Sequence, residues 1–147
     1  MGFKFRYETL LSYRQHLKEK AVIDFAQAQQ QLRDCRNGLE ALNHKRFAMM
    51  SLMESDLKEK LSSNELKNYS HFMNALEDQI ISHEEEIARW EKIVQEKMAI
   101  LLEKSKQHKV IEKLKEKDLA KWTRHQNLLE QKAMNETAII RYGKRPA

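Results

Sequence analysis

Residues 57–66 of the chain read Leu57-Lys58-Glu59-Lys60-Leu61-Ser62-Ser63-Asn64-Glu65-Leu66. Ser62 is followed three residues later by Glu65, a capping box that satisfies free backbone amides at the start of a helix. The apolar pattern changes register at the same place. A first helix is therefore predicted to end before Ser62, and a second helix to begin just after it.

Upstream of this break, one position in every three or four is apolar or small. The steps average about 3.5 residues, the repeat that keeps one stripe of a helix facing a partner helix. Two successive steps of four, from Leu17 through Ala21 to Phe25, form a stutter that locally unwinds a supercoil. The first stripe consists of Leu10, Arg14, Leu17, Ala21, Phe25, Ala28, Leu32, Cys35, Leu39, Leu42, Arg46, Met49, Met53, Leu57 and Leu61.

Downstream of the break, a second stripe has the same kind of spacing. It consists of Leu66, Tyr69, Met73, Leu76, Ile80, His83, Ile87, Trp90, Val94, Met98 and Leu101, and continues less regularly through Ile111, Leu114, Leu119, Trp122 and Leu129. Two helices joined by a tight turn run antiparallel, so the two stripes can face each other along one seam.

Helix-breaking residues are scarce, with three glycines and one proline among 147 residues. We therefore expect an all-α fold of two long helices forming an antiparallel coiled-coil hairpin, a single domain over residues 1–147. Helix 1 is predicted at about 4–60, the turn at about 61–64 and helix 2 at about 64–140, followed by a frayed tail. At about 1.5 Å per residue the helices would be about 85 and 115 Å long. Gly38 interrupts helix 1 at a cost of about 1 kcal/mol. One unbroken helix in a parallel dimer is the disfavoured alternative.

Charge is distributed unevenly along the chain. Residues 1–61 hold 11 Lys/Arg and 8 Asp/Glu, residues 62–103 hold 4 and 9, and residues 104–147 hold 12 and 5, so the net charges are +3, −5 and +7. In an antiparallel hairpin the first and last segments lie together, which makes the open end basic. A partner with a negative surface would fit there, although a solvated helical face has the same composition. Duplex DNA fits poorly, because Glu112, Glu116 and Asp118 interrupt the basic run and would face phosphates.

Signals for catalysis are absent from the sequence. The six histidines show no i, i+4 pairing with one another and no cysteine partner, so no metal site is expected. No glycine-rich phosphate loop is present, and carboxylates on exposed helix faces have no apolar pocket to tune their pKa. Cys35 is the single cysteine and fits small seam packing in a reducing compartment. The chain is predicted to be a non-enzyme without cofactors.

Targeting signals are also missing. Phe3, Lys4, Phe5 and Arg6 alternate aromatic and charged residues where a signal peptide would be apolar, and Arg6 stands where myristoylation needs Ser or Thr. No stretch approaches eighteen apolar residues. A cytosolic protein is expected.

Phe72 lies at the margin of the second stripe, where an aromatic side chain can remain partly exposed. With Leu76, Gln79 and His83, at steps of four, three and four, it forms a ridge on helix 2. Exposed aromatics on a charged helix are candidate partner anchors, although Phe72 could equally flank the seam.

Two stretches carry a family likeness. The opening Phe3–Arg14, FKFRYETLLSYR, and the central run Asn68–Leu76, NYSHFMNAL, followed by Trp90, resemble FliJ proteins of the bacterial flagellar type III export apparatus. The length, the two-helix pattern and the basic tail match over essentially the whole chain.

The resemblance implies a stalk-like coiled coil that binds the hexameric export ATPase, promotes its assembly and links it to the membrane export-gate protein. It implies a role in flagellum assembly and motility, handling of export chaperones, and a peripheral location at the cytoplasmic side of the inner membrane. The gate contact maps onto Phe72, Leu76, Gln79 and His83. The ATPase contact maps onto the basic open end, which comprises Arg6, Arg14, Lys113, Lys117, Lys121 and Arg124.

Two other functions remain open at this point. The equivalent stalk of an injectisome has the same pattern, although the FKFRYETLL opening favours the flagellar machine. A nucleic-acid-associated basic coiled coil would instead require parallel dimers and duplex binding that weakens steeply with salt.

Overall fold

The computed structural model describes residues 2–60 and 62–143. Two long α-helices account for most of them: α1 spans Glu8–Leu57 and α2 spans Ser63–Gly143. The described residues contain no β-strand. The prediction of an all-α fold with two long antiparallel helices is confirmed. Leu61 and the predicted tail beyond Gly143 lie outside the described residues.

The first helix begins four residues later than the sequence predicts. The residues before Tyr7 are not helical, and the Leu11 amide donates a hydrogen bond to the Tyr7 carbonyl at 2.9 Å as the first turn forms. Phe5 is buried, and the Phe3 ring lies 6.0 Å from the Trp122 ring on α2. Packing of Phe3 against α2, together with burial of Phe5, therefore takes the place of the first predicted turn of helix.

The connection between the helices uses local hydrogen bonds and one unusual backbone conformation. The Glu59 amide donates to the Asp56 carbonyl at 3.0 Å, and Lys60 has a φ of 41°, in the left-handed region that often terminates helices. The Ser62 hydroxyl then accepts a hydrogen bond from the Glu65 amide at 3.3 Å. Ser62 thus caps α2, as the capping box predicts.

The chain divides into two compact units. Unit 1 comprises residues 1–19 and 103–147, and unit 2 comprises residues 20–102. In unit 1, Lys115 on α2 pairs with Glu8 at 2.9 Å, and Arg14 donates to the Gln107 carbonyl at 2.8 Å. Partner numbers fall along α2 as they rise along α1, which shows antiparallel pairing. The most buried side chains of unit 1 are those of Phe5, His108 and Ile111.

Unit 2 has a seam of small and aliphatic side chains. Its buried residues are Ala21, Ala28, Leu32 and Cys35 on α1 and Leu76 and Ile80 on α2, all members of the predicted stripes. Arg36 on α1 pairs with Glu91 on α2 at 3.2 Å, and Asp56 accepts a hydrogen bond from Tyr69. The pairing is again antiparallel. Small residues on α1 allow the two backbones of this unit to approach closely.

Candidate partner-binding surfaces

The four residues predicted to contact an export gate all lie on α2 in unit 2, but they are not equally accessible. Leu76 is only 3% exposed and belongs to the seam with α1. Phe72 and His83 are half-buried, and Gln79 is exposed. Leu76 therefore offers little surface to a partner in this packing, and the gate contact stays a prediction for all four residues.

His83 lies against the backbone of α1 at Gly38. A Cβ atom added at Gly38 would stand 2.9 Å from His83 Nε2 and 3.1 Å from Cδ2, closer than side chains pack. The other ring nitrogen, Nδ1, lies 3.2 Å from the Gln79 carbonyl oxygen one turn earlier. The helix interruption at Gly38 thus has a structural reason: it leaves the space that the His83 ring occupies.

Phe72 contacts a charge on the opposite helix. The Lys45 ammonium lies 5.4 Å from the centre of the Phe72 ring, within the range of a cation–π interaction. Lys45 is itself exposed. The surface around Phe72 is therefore formed by both helices of unit 2, which the sequence stripes alone did not indicate.

The six residues predicted to contact an ATPase all lie in unit 1. Arg14 is half-buried and bound to the Gln107 carbonyl, so it stabilises the unit. Arg6 is exposed, with its guanidinium 5.5 Å from the centre of the Tyr7 ring. The other four, all on α2, are exposed: Lys113, Lys117, Lys121 and Arg124. Five of the six are thus available to a partner.

These four residues belong to a longer row of basic side chains. The row, here called the basic stripe, comprises Lys106, Lys109, Lys113, Lys117, Lys121 and Arg124, all exposed. Their spacing of three or four residues places them on one face of α2 over about 27 Å. Among the described residues none of them forms an ion pair. Lys106 and Lys109 were missed from the sequence, although the helical period would have found them.

The two units differ in charge. Unit 1 holds 16 Lys/Arg and 8 Asp/Glu, a net charge of +8, whereas unit 2 holds 11 and 14, a net charge of −3. These values sum to the +5 of the whole chain. The positive charge of the chain is therefore concentrated in unit 1.

Two side chains of unit 2 have shifted pKa values. Burial, and then the neighbouring Glu86 carboxylate, raise the pKa of the Cys35 thiol, which favours the neutral and unreactive form. The hydrogen bond to Asp56 raises the pKa of Tyr69, with burial a smaller cause. Neither environment prepares a nucleophile or a general base.

The end of α2 exposes several large apolar side chains. Leu128, Met134, Ile139 and Tyr142 are 59–80% exposed. Ala133, Met134, Thr137, Ala138, Arg141 and Tyr142 line a shallow groove there. This segment of unit 1 has an accessible apolar surface, but no enclosed pocket of the kind that holds a substrate.

Residues 2–60 and 62–143 contain neither a metal-binding cluster nor a membrane-spanning helix. No group of three or more His, Cys, Asp or Glu side chains is placed to hold a metal ion. No helix in this part of the chain has a segment long and apolar enough to cross a membrane.

The described residues define an all-α helical hairpin protein with a basic surface in unit 1. The chain belongs to the FliJ family: the family described as Flagellar FliJ protein matches residues 3–147. A curated relative, the Flagellar FliJ protein of Bacillus subtilis (strain 168), is 22% identical over 142 residues, covering 97% of this chain and 97% of its own. No solved structure matches the chain. Family membership supports a component of the flagellar export apparatus.

Proposed function

We propose that this chain is a stalk-like subunit of the flagellar export apparatus, which binds the export ATPase hexamer through unit 1 and promotes assembly of the ring. It links the ring to the membrane export gate, acts without catalysis, and is needed for flagellum assembly and motility. Its place is the cytoplasm, peripheral to the inner membrane, and export chaperones are further partners. Membership of the FliJ family supports this role.

The observation that carries the ATPase contact is the charge of unit 1. Its net charge is +8, and Lys113, Lys117, Lys121 and Arg124 project from exposed positions of one helix. A basic helix face complements an acidic wall, and such complementarity accelerates docking and sets orientation. Because exposed charges are screened by ions, the contact should weaken as salt rises.

The test mixes the purified chain with its cognate export ATPase and follows ring assembly by light scattering together with ATP turnover. At low salt, the wild-type chain should stimulate ring assembly and ATP turnover. The variant Lys113→Glu, Lys117→Glu, Lys121→Glu, Arg124→Glu should not. The matched control reverses four exposed lysines of unit 2: Lys20, Lys58, Lys67 and Lys92. The proposal fails if the wild-type chain has no effect on assembly, or if the two variants lose stimulation equally.

The gate contact is proposed for the accessible part of the predicted cluster, Phe72, Gln79 and His83. Phe72→Ala and Gln79→Ala should weaken binding to the gate protein while leaving the fold unchanged, whereas Leu76→Ala removes a seam residue and would confound binding with unfolding. Asn74→Ala, at an exposed position nearby, is the control. Gate binding unchanged by both Phe72→Ala and Gln79→Ala would contradict this contact.

The injectisome alternative differs only in the machine that the chain serves. Deletion of the chain should abolish motility if it serves the flagellum. Normal motility together with loss of effector secretion would assign it to an injectisome.

A further inference from the structure

We propose that the basic stripe binds the headgroups of an anionic phospholipid surface directly. This inference concerns unit 1 of the isolated chain and does not depend on the ATPase contact. It adds a ligand of defined chemistry, clustered lipid phosphates, to a protein whose described residues include no membrane-spanning helix.

The arrangement of charge on α2 is the first argument. At about 100° per residue, the six stripe residues fall within an arc of about 120°. Between residues 106 and 124, only Val110 and Ala120 also lie in that arc, and no acidic residue does. Glu112 and Glu116 lie outside it, and Glu112 pairs with His108 at 3.4 Å. One face of the helix therefore carries only basic or small apolar side chains.

The direction of this face is the second argument. The arc lies opposite Ile111, which is buried, and Trp122, whose ring packs against Phe3. The apolar side of this part of α2 is thus occupied within unit 1, and the basic side faces solvent. A helix that binds membranes by insertion would need a free apolar face. Here the expected contact is electrostatic, with the helix lying along the headgroups.

The basic stripe is made almost entirely of lysine. Five of the six residues are lysines, whose flexible point charges suit a diffuse layer of phosphates better than a single oriented carboxylate. No aromatic side chain is interleaved in the arc, as stacking of single-stranded nucleic acid would require. Val110, 62% exposed, adds a small apolar contact at headgroup depth. These features fit a layer of lipid phosphates and are unlike a surface that stacks single-stranded nucleic acid.

The experiment measures co-sedimentation of the full chain with two kinds of vesicle, phosphatidylcholine alone and phosphatidylcholine mixed with phosphatidylglycerol. A basic residue near an anionic bilayer contributes about fivefold to binding. The variant Lys106→Gln, Lys109→Gln, Lys113→Gln, Lys117→Gln should therefore bind the anionic vesicles at least about 100-fold more weakly. The control variant, Lys20→Gln, Lys58→Gln, Lys67→Gln, Lys92→Gln, should lose much less of its affinity for the anionic vesicles. Circular dichroism of each variant verifies that the helices are retained.

Salt-sensitive binding to the anionic vesicles alone, lost in the stripe variant, would support the proposal. The proposal is overturned if the wild-type chain binds neither kind of vesicle, or if the stripe variant and the control variant lose binding to the same extent. Binding to poly-glutamate or to duplex DNA without binding to vesicles would assign the stripe to a protein or a nucleic acid instead, and so also overturn it. The vesicle assay contains no ATPase, so a lack of lipid binding would not bear on the ATPase contact, which the ring-assembly assay tests. Lipid binding and ATPase binding are thus tested independently.

Discussion

Gly38 illustrates how one missing side chain is explained by a residue 45 positions away. In a helix interior glycine is about 1 kcal/mol less favourable than alanine. Here it leaves the space for the His83 ring, which also lies within hydrogen-bonding distance of the Gln79 carbonyl. Glycine lowers the helix propensity of α1 at this position, but it allows the His83 ring of α2 to pack against the α1 backbone.

The first prediction couples these two positions. In a His83→Ala background, Gly38→Ala should stabilise the protein by about 1 kcal/mol, because only helix propensity changes. In the wild-type background the new methyl group must displace the His83 ring, so the gain should be smaller by at least about 0.5 kcal/mol. Urea unfolding of the four proteins measures the coupling. As a control, Asn37→Ala, at an exposed neighbouring position, should add to His83→Ala without coupling; additivity at Gly38 as well would contradict the contact.

The second prediction concerns the pKa of Tyr69, raised first by its hydrogen bond to Asp56. Because the folded state holds this proton more tightly, the stabilisation is complete below the usual tyrosine pKa, about 10, and is lost as pH rises through the raised value. Tyrosinate absorbance should therefore show a late component that Tyr69→Phe removes and Asp56→Asn shifts to lower pH. Tyr13→Phe, at an exposed position on α1, should leave that component unchanged. A titration unaffected by Asp56→Asn would rule out the hydrogen bond in solution.

At the scale of elements, the start of α1 is set by aromatic packing. Phe5 lies in the predicted helix and Phe3 directly precedes it, yet the chain is not helical there and both rings pack within unit 1. The FKFRYETLL opening, which carried much of the family resemblance, thus has a structural role: through Phe3 and Trp122 it attaches the N-terminal segment to the side of α2 that lies opposite the basic stripe. The end of α1, at Leu57, comes three residues before the predicted end, whereas α2 begins at Ser63, within one residue of its predicted start, where Ser62 caps it.

The third prediction tests this N-terminal attachment. In a Trp90→Phe background, where Trp122 is the remaining tryptophan, Phe3→Ala should shift the emission of Trp122 to longer wavelength as its ring becomes wetter. Phe5→Ala should additionally destabilise unit 1 by about 3 kcal/mol, the lower range for a buried phenylalanine. Tyr13→Ala, at an exposed position on α1, is the control and should change neither quantity much. Unchanged emission in Phe3→Ala would show that the segment is detached in solution.

At the scale of the whole molecule, the buried members of both stripes pack within the same chain. The buried members of the α1 stripe, including Ala28 and Leu32, and those of the α2 stripe, including Leu76 and Ile80, face one another in unit 2. A parallel dimer would need the same side chains for a second copy. The alternative of one unbroken helix is also inconsistent with the described residues 58–60 and 62, which are not helical.

The fourth prediction follows from this use of the stripes. The purified chain should be a monomer, with a mass near 17.5 kDa by light scattering at micromolar concentration. The measurement is repeated at low and high salt, since charge repulsion between basic units could mask a weak dimer at low salt. A stable mass of twice this value would contradict an intramolecular seam and favour the hypothesis of a nucleic-acid-associated coiled-coil dimer.

Much of this protein could be predicted from residue order alone. Spacing of apolar residues, scarcity of glycine and proline, and the Ser62–Glu65 pair determine two antiparallel helices, because these signals act within a few residues of one another. The charge of each segment is likewise a property of composition. Which side chains remain free depends on the tertiary structure. Leu76 is buried and Arg14 is bound to Gln107, whereas the basic stripe faces solvent, because exposure depends on the position of the opposite element, which local periodicity does not specify.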